Sequence, residues 1–191
     1  MEEINKAIAV LHNGGVVIFP TDTVYGFLAD ATNKKAVESI YLIKKRLKSK
    51  PLPVFVKDFN MAKELAEIDE KQEKNIKKYW PGKYTFILKR KVQSKKRKDK
   101  SKNLELYGVD EKTIAIRIPK YKILNDLLEK INKPLVQTSV NISGEESITK
   151  IKDIIKNFEN EGVLVINGGD IKKSKPSKII DLTGSKIKNI R

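Results

Sequence analysis

Four times along this chain a short run of structure-forming residues passes straight into a polar cluster. The clusters are PTDTVYG (Pro20–Gly26), KKRLKSKP (Lys44–Pro51), QTSVNISG (Gln137–Gly144) and KPSKIIDLTG (Lys175–Gly184). The apolar runs beside them, such as VVIF and PLV, hold only three or four residues, the length of a buried strand and too short for a helix. Ordinary turns do not need threonines, serines, an asparagine and cations packed this tightly. In α/β sheets the ends of strands are where ligands bind. The pattern therefore predicts an α/β fold with polar groups gathered at strand ends.

The remaining elements fit that class. Ile4, Ala7, Ile8 and Leu11 recur at helical spacing, and Gly14-Gly15 stops that helix. VVIF (Val16–Phe19) reads as a strand. Asn33 is placed to cap a second helix carrying Val37, Ile40 and Tyr41 on its inner face. PVFV (Pro53–Val56) reads as a strand, residues 60–79 as one or two helices, and Trp80-Pro81-Gly82 as a turn. YTFILKR and TIAIRIP are strands, and Ile123, Leu124, Leu127 and Leu128 mark a helix. PLVQTSVN is a strand entering a polar loop. Residues 149–158 form a helix with Thr149 as its cap, followed by strands in GVLVING and SKIIDLTG, with NGGD (Asn167–Asp170) as a turn. Lys91–Asn103 is charged and aperiodic, and reads as an exposed loop. The irregular alternation of strands and helices favours one α/β domain with a mixed sheet over a doubly wound parallel one.

Composition narrows the function classes. The chain has 191 residues, enough for one or at most two domains, and no cysteine, which excludes disulfides, thiol catalysis and cysteine–zinc sites. The absence of cysteine fits a reducing cytoplasm, and cytoplasmic location is the expectation. No apolar stretch approaches the roughly 20 residues of a membrane span, and the acidic, helical N-terminus does not resemble a secretory signal. The formal charge is +16, from 40 basic and 24 acidic residues. That surplus favours anionic partners such as nucleotides or RNA, and equally serves bulk solvation. The single histidine, His12, ends the first helix and is expected at the surface, so histidine base chemistry is not expected.

Taken one at a time, the clusters leave alternatives open. Lys44 and Arg46 at a helix C-terminus complement the helix dipole, or bind a polyphosphate as a point charge and a planar fork. Ser139, Asn141 and Ser143 either bind oxygens of a ligand or bond their own backbone in a turn. There is no Walker sequence, no GxGxxG and no spaced set of His, Asp and Glu resembling a metal cage. A metal taking part would arrive with a nucleotide.

In order along the chain stand FPTDTVYGFLADA, IYLIKKR, KPLPVFV, YWPGKYTFIL, IAIRIP, QTSVNISGE and SKIIDLTG. This ordered set resembles the YrdC/Sua5 family of L-threonylcarbamoyladenylate synthases over nearly the whole chain. The resemblance implies a twisted mixed open sheet flanked by helices around a concave basic cavity. It implies that L-threonine, bicarbonate and ATP give threonylcarbamoyl-AMP and pyrophosphate, with Mg²⁺ accompanying ATP. It also implies a downstream transferase complex that modifies N6 of adenosine 37 in tRNA. The family's KxR…SxN signature falls on Lys44, Arg46, Ser139 and Asn141, expected to serve catalysis by stabilising phosphoryl charge. Thr23, Arg117, Ser139 and Ser177 correspond to threonine-binding positions. Lys44, Arg46, Lys50, Thr113, Asn141, Thr149 and Arg191 correspond to nucleotide-binding ones, and no metal is held by the protein itself.

The chain departs from the family pattern at several points. Lys45 replaces the usual glycine of KGR, and Leu47 the proline after it. Lys83 and Tyr84 replace Pro-Leu, and the basic segment Lys95–Lys102 lengthens a loop. The resemblance points to the short form, one domain over residues 1–191 without the additional C-terminal Sua5 domain. A non-enzymatic RNA- or ribosome-binding protein is the competing reading, resting on the charge. In the opening cluster, Thr23 is expected to face threonine and Asp22 to brace the loop, because a carboxylate aimed at a triphosphate would oppose binding.

Overall fold

The computed structural model describes residues 2–91, 104–172, 176–184 and 187–190. Its strands are β1 Val17–Phe19, β2 Gly26–Asp30, β3 Val54–Phe55, β4 Ala66–Glu67, β5 Tyr84–Arg90, β6 Thr113–Arg117, β7 Leu135–Ser139, β8 Leu164–Val165, β9 Lys178–Asp181 and β10 Lys188–Asn189. The helices are α1 Glu2–His12, α2 Lys34–Ile43, α3 Phe59–Leu65, α4 Glu70–Ile76, α5 Lys122–Ile131 and α6 Ile151–Phe158. All ten strands join one sheet in the order β10-β9-β5-β6-β3-β7-β2-β1-β8, with β4 pairing β5 off this path. Pairing is mixed: β1/β8, β3/β6 and β5/β9 are parallel and the other pairs antiparallel.

Strand alternation divides the sheet into two faces. Ile18, Phe27, Ala29, Val54, Val136, Ile114, Ile116, Phe86, Leu88 and Ile180 belong to one core. Val17, Phe19, Leu28, Phe55 and Leu135 point the other way, into a second core with Ala7 and Leu11 of α1 and Leu124, Leu127 and Leu128 of α5. Among the described residues, α1 and α5 pack on this second face against residues of β1, β2, β3, β7 and β8. Over β5, β6 and β9 the same face presents Ile87, Thr113, Ala115, Arg117 and Ile179, which line an open cavity. The site thus lies on the same sheet face, beside the strands that α1 and α5 pack against.

Several expectations are revised. GFLAD, given no element from the sequence, is strand β2, with all five residues buried. It pairs on both sides, so the stretch from Val17 to Asp30 is a hairpin whose connection carries the polar cluster. The segment 60–79 is two helices separated by β4, and β10 follows the late strands. Thr149 is not the cap of α6. The N-cap position is Lys150 with no side-chain cap bond, and Asp170 Oδ1, from the NGGD turn, accepts the Ile151 N–H at 3.0 Å instead. A carboxylate at a helix start satisfies an orphan N–H and complements the dipole, which a threonine hydroxyl does more weakly. The basic segment Lys95–Lys102 and Arg191 lie outside the described residues. No helix among the described residues is long and apolar enough to cross a membrane.

Helices α1 and α2 end in the same way. After α1, Gly14 N–H bonds Leu11 O at 3.1 Å and Gly15 N–H bonds Val10 O at 2.8 Å, with Gly14 at φ 77°. After α2, Lys45 N–H bonds Leu42 O at 3.0 Å and Arg46 N–H bonds Tyr41 O at 2.9 Å, with Lys45 at φ 49°. Both are Schellman stops, whose left-handed residue is ordinarily glycine. A lysine there costs about 1 kcal/mol relative to glycine, because its Cβ crowds the following carbonyl. Lys45→Gly is therefore expected to stabilise the fold by about that amount, less the chain entropy that glycine adds to the unfolded state. Urea denaturation checks this, and a clear loss of stability would refute it. The stop also splits the lysine–arginine pair: Lys44 is buried and Arg46 lines the cavity.

Candidate active site

The cavity has a volume of about 620 Å³, within the usual range for a small-molecule site. Its lining includes Thr23, Arg46, Thr113, Arg117, Ser139, Asn141, Thr149 and Ser177, all anticipated from the sequence. Residues from six separate places in the chain therefore meet at one concavity. Thr113 and Arg117 lie on the same face of β6, four residues and so about 13 Å apart. That length gives the floor room for two ligand parts, one at each end.

The hairpin connection between β1 and β2 is built by Thr21. Its Oγ1 accepts the N–H groups of Thr23 at 3.1 Å and Val24 at 3.3 Å, and donates to Val24 O at 2.6 Å. This local bonding closes the turn and leaves Asp22 free for a distant partner. Asp22 Oδ1 accepts from Arg117 Nη2 at 2.5 Å, with the two side chains 7% and 2% exposed. Arg117 Nε donates to Gly82 O at 2.9 Å, and its Nη1 approaches Thr23 Oγ1 at 3.4 Å. The guanidinium also lies 5.5 Å over the Phe55 ring. Asp22 braces the loop, as expected, and does so by holding the arginine that faces the cavity. Tyr25, fully buried, fixes the other side: its hydroxyl donates to Gly169 O at 2.7 Å and accepts from Gly168 N–H at 2.9 Å. Burial raises the Tyr25 pKa above its ordinary value.

Lys44 is 1% exposed and does not line the cavity. Its Nζ donates to Ser139 O at 2.5 Å, Asn141 O at 2.9 Å and Asn141 Oδ1 at 2.9 Å. Burial, and then the positive charge of Arg46, lower its pKa to about 8. Arg46 itself is held at the rim by Nε to Lys50 O at 3.1 Å and Nη2 to Pro51 O at 3.2 Å. Lys50 contributes its carbonyl there and is outside the cavity lining. Thr113 is fixed by Asp110, whose Oδ1 accepts from Thr113 N–H at 2.8 Å and Oγ1 at 2.9 Å. The bond from the Lys112 N–H, followed by the two from Thr113, lowers the Asp110 pKa. Ser177 Oγ lies 3.1 Å from Thr85 Oγ1 on β5, which positions it over the floor.

A net basic character of the cavity is not shown by the described residues that line it. Among the described residues the charged side chains there are Arg46 and Arg117 against Asp110, Glu145 and Glu146. Sequence reasoning also missed Gln137, Asp110, Glu145 and Glu146 as lining residues. Period-two alternation would have found Gln137, which shares the face of Ser139 on β7. Nothing local to the sequence marks the carboxylates, since they sit on loops.

The family model described as "Telomere recombination" (Sua5, YciO and YrdC) matches residues 9–191. The chain belongs to the Sua5/YciO/YrdC family. It is 40% identical over 194 residues to a Methanocaldococcus jannaschii protein provisionally named a threonylcarbamoyl-AMP synthase, covering 100% of this chain and 87% of that one. The crystal structure of Pyrococcus abyssi Sua5 complexed with L-threonine superposes with a TM-score of 0.84 at 31% identity, covering 98% of this chain and 53% of that one. This chain thus spans about half the length of the P. abyssi protein. The Escherichia coli YciO structure also superposes at 0.84, with 29% identity and coverage of 98% and 87%. The mixed sheet with flanking helices is therefore the family's fold.

Proposed function

We propose that this member of the family is an L-threonylcarbamoyladenylate synthase, forming threonylcarbamoyl-AMP and pyrophosphate from L-threonine, bicarbonate and ATP. The observation that carries the reading is the 40% identity to the M. jannaschii protein given that name, over 100% of this chain and 87% of that one. The threonine complex of P. abyssi Sua5 supports threonine as the substrate amino acid. Similarity of fold does not choose within the family, because YciO superposes equally well.

The cavity's chemistry suits the reaction. Thr23, Arg117 and Ser177 offer hydroxyls and a guanidinium to a threonine carboxylate and hydroxyl, and Arg46, Thr113 and Thr149 remain for the nucleotide. Threonine's amine adds to bicarbonate-derived carbon to give a carbamate with loss of water. A carbamate oxygen then attacks the α-phosphorus, and the bond to pyrophosphate breaks. The steps need positioning and charge stabilisation, and no protein nucleophile. Arg46 answers the charge on the phosphoryl oxygens. In this reading Mg²⁺ enters bound to the ATP phosphates. Transfer to tRNA belongs to a separate partner in this reading, and cytoplasmic location follows from that role.

The test is pyrophosphate release by purified protein given ATP, Mg²⁺, bicarbonate and amino acids. Release is expected to require both threonine and bicarbonate, and Arg46→Ala is expected to lower it at least tenfold. Release without either co-substrate, or no release, would sink the reading.

A further inference from the structure

The signature residues differ sharply in how much bonding capacity they have left. An ammonium has three N–H donors. All three of Lys44 are spent, on Ser139 O, Asn141 O and Asn141 Oδ1. A side-chain amide has two donors and one acceptor oxygen. Asn141 spends both donors, on Ile142 O at 2.9 Å and Glu145 O at 2.7 Å. Its Oδ1 accepts from Lys44 and, at 2.7 Å, from Ser139 Oγ. Arg46 has five N–H donors and spends two, leaving three at the cavity rim.

We propose that Lys44 and the Asn141 side chain are positioning residues, which lock the turn after β7 and aim the Ser139 hydroxyl, while Arg46 and Ser139 meet the substrate. The geometry of the turn supports this. Lys44 grips it from the core side at two backbone carbonyls, and its own carbonyl accepts Ser143 N–H at 2.9 Å. Lys44 therefore holds both limbs of the turn. Its ammonium also lies 5.7 Å over the Phe27 ring, on the core side of the sheet. To reach a phosphate it would have to abandon three short bonds and strip three buried oxygens of their donor, at a cost that a solvated ligand does not recover. Ser139 is bound in the opposite sense. It donates its single proton to Asn141, so the lone pairs of Oγ remain on the cavity side as a fixed acceptor for an amine, hydroxyl or metal-bound water of the substrate.

This inference rests on the synthase reading, and its test separates the two. ATP with Mg²⁺ is titrated into the full chain by calorimetry, without threonine. Arg46→Met is expected to weaken ATP binding at least tenfold, and Lys44→Met, which removes the same charge, threefold or less. Threonine-dependent pyrophosphate release is then measured in a cycle with Ser139→Ala. Lys44→Met alone is expected to lower kcat at least tenfold. In the Ser139→Ala background it is expected to cost less than a further twofold, because Lys44 acts through that hydroxyl. Lys44→Gln, which keeps two donors, is expected to restore part of the rate and replaces Lys44→Met if the latter does not fold. Equal loss of ATP affinity in Lys44→Met and Arg46→Met, or an undiminished effect of Lys44→Met in the Ser139→Ala background, would overturn the assignment. Absent turnover in the wild type would overturn the synthase reading, and the ATP titration would still decide the role of Lys44.

Discussion

Arg117→Met is expected to lower the unfolding free energy by about 3–5 kcal/mol, the cost of breaking one side of a buried ion pair. The guanidinium is 2% exposed, and its partner Asp22 is 7% exposed, so removal leaves a carboxylate with little water to replace the lost charge. Gly82 O loses its donor as well. Asp22→Asn should cost less, since the amide still accepts from Arg117. The double variant Asp22→Asn/Arg117→Met should cost clearly less than the two single losses added, because the charge that Arg117→Met strands is gone. Urea denaturation at neutral pH measures all three. A loss below about 1 kcal/mol for Arg117→Met would show that the pair contributes no more than a surface salt bridge. The proposed threonine site predicts a second effect: variants that remain folded should bind threonine at least tenfold more weakly.

Raising the pH above 8 should lower activity while the contribution of Lys44 to stability rises. The Lys44 pKa is lowered from 10.5 to about 8 in the folded chain. Between those values the unfolded chain binds a proton that the folded chain has lost, so unfolding becomes less favourable as pH increases. Below pH 8 both states are protonated, and the folded state carries the full cost of burying the charge. Two and a half units correspond to about 3 kcal/mol. The stability of wild type relative to Lys44→Met should therefore improve by up to that amount between pH 8 and 10.5. Activity moves the other way. A neutral amine has two N–H groups for three oxygens, so the turn after β7 loses one tie. kcat/KM should fall as pH rises through about 8 and level off no lower than the value of Lys44→Met. Parallel denaturation and rate measurements separate this from unfolding, which would lower both together. A pH-independent difference between wild type and Lys44→Met would refute it.

Much of the fold was legible because its signals are local. Alternation and helical spacing identified the three best-formed helices, α1, α2 and α5, and the strands β1, β5, β6, β7 and β9. Asn33 caps α2, as its position before the apolar face implied, accepting Ala36 N–H at 3.1 Å. Strand β2 was hidden because GFLAD is apolar on both faces and follows the polar cluster without a break, so no alternation marks it. Thr149 looked like a cap because it precedes a helical run. The carboxylate that caps α6 comes from Asp170, 19 residues beyond the Ile151 N–H it accepts but adjacent in space. Such a partner carries no local sign.

By itself, the sequence determined the fold class, the family, and which polar residues gather at the cavity: Thr23, Arg46, Thr113, Arg117, Ser139, Asn141, Thr149 and Ser177 all line it. The fold class follows from periodicity and element order, whereas the family and these site positions follow from the resemblance of the ordered motifs to the YrdC/Sua5 family. Only the tertiary structure decided what each polar group has left to give. Lys44 and Arg46 are two residues apart and chemically alike on paper. The left-handed turn at Lys45 separates them, sending one cation into a closed cage of carbonyls and the other to the rim. Asp22 and Arg117 are 95 residues apart, and their pairing exists because the β1–β2 connection folds over the end of β6. Hydrogen-bonding capacity is spent among partners distant in sequence, so which groups remain for a substrate is a property of the folded chain.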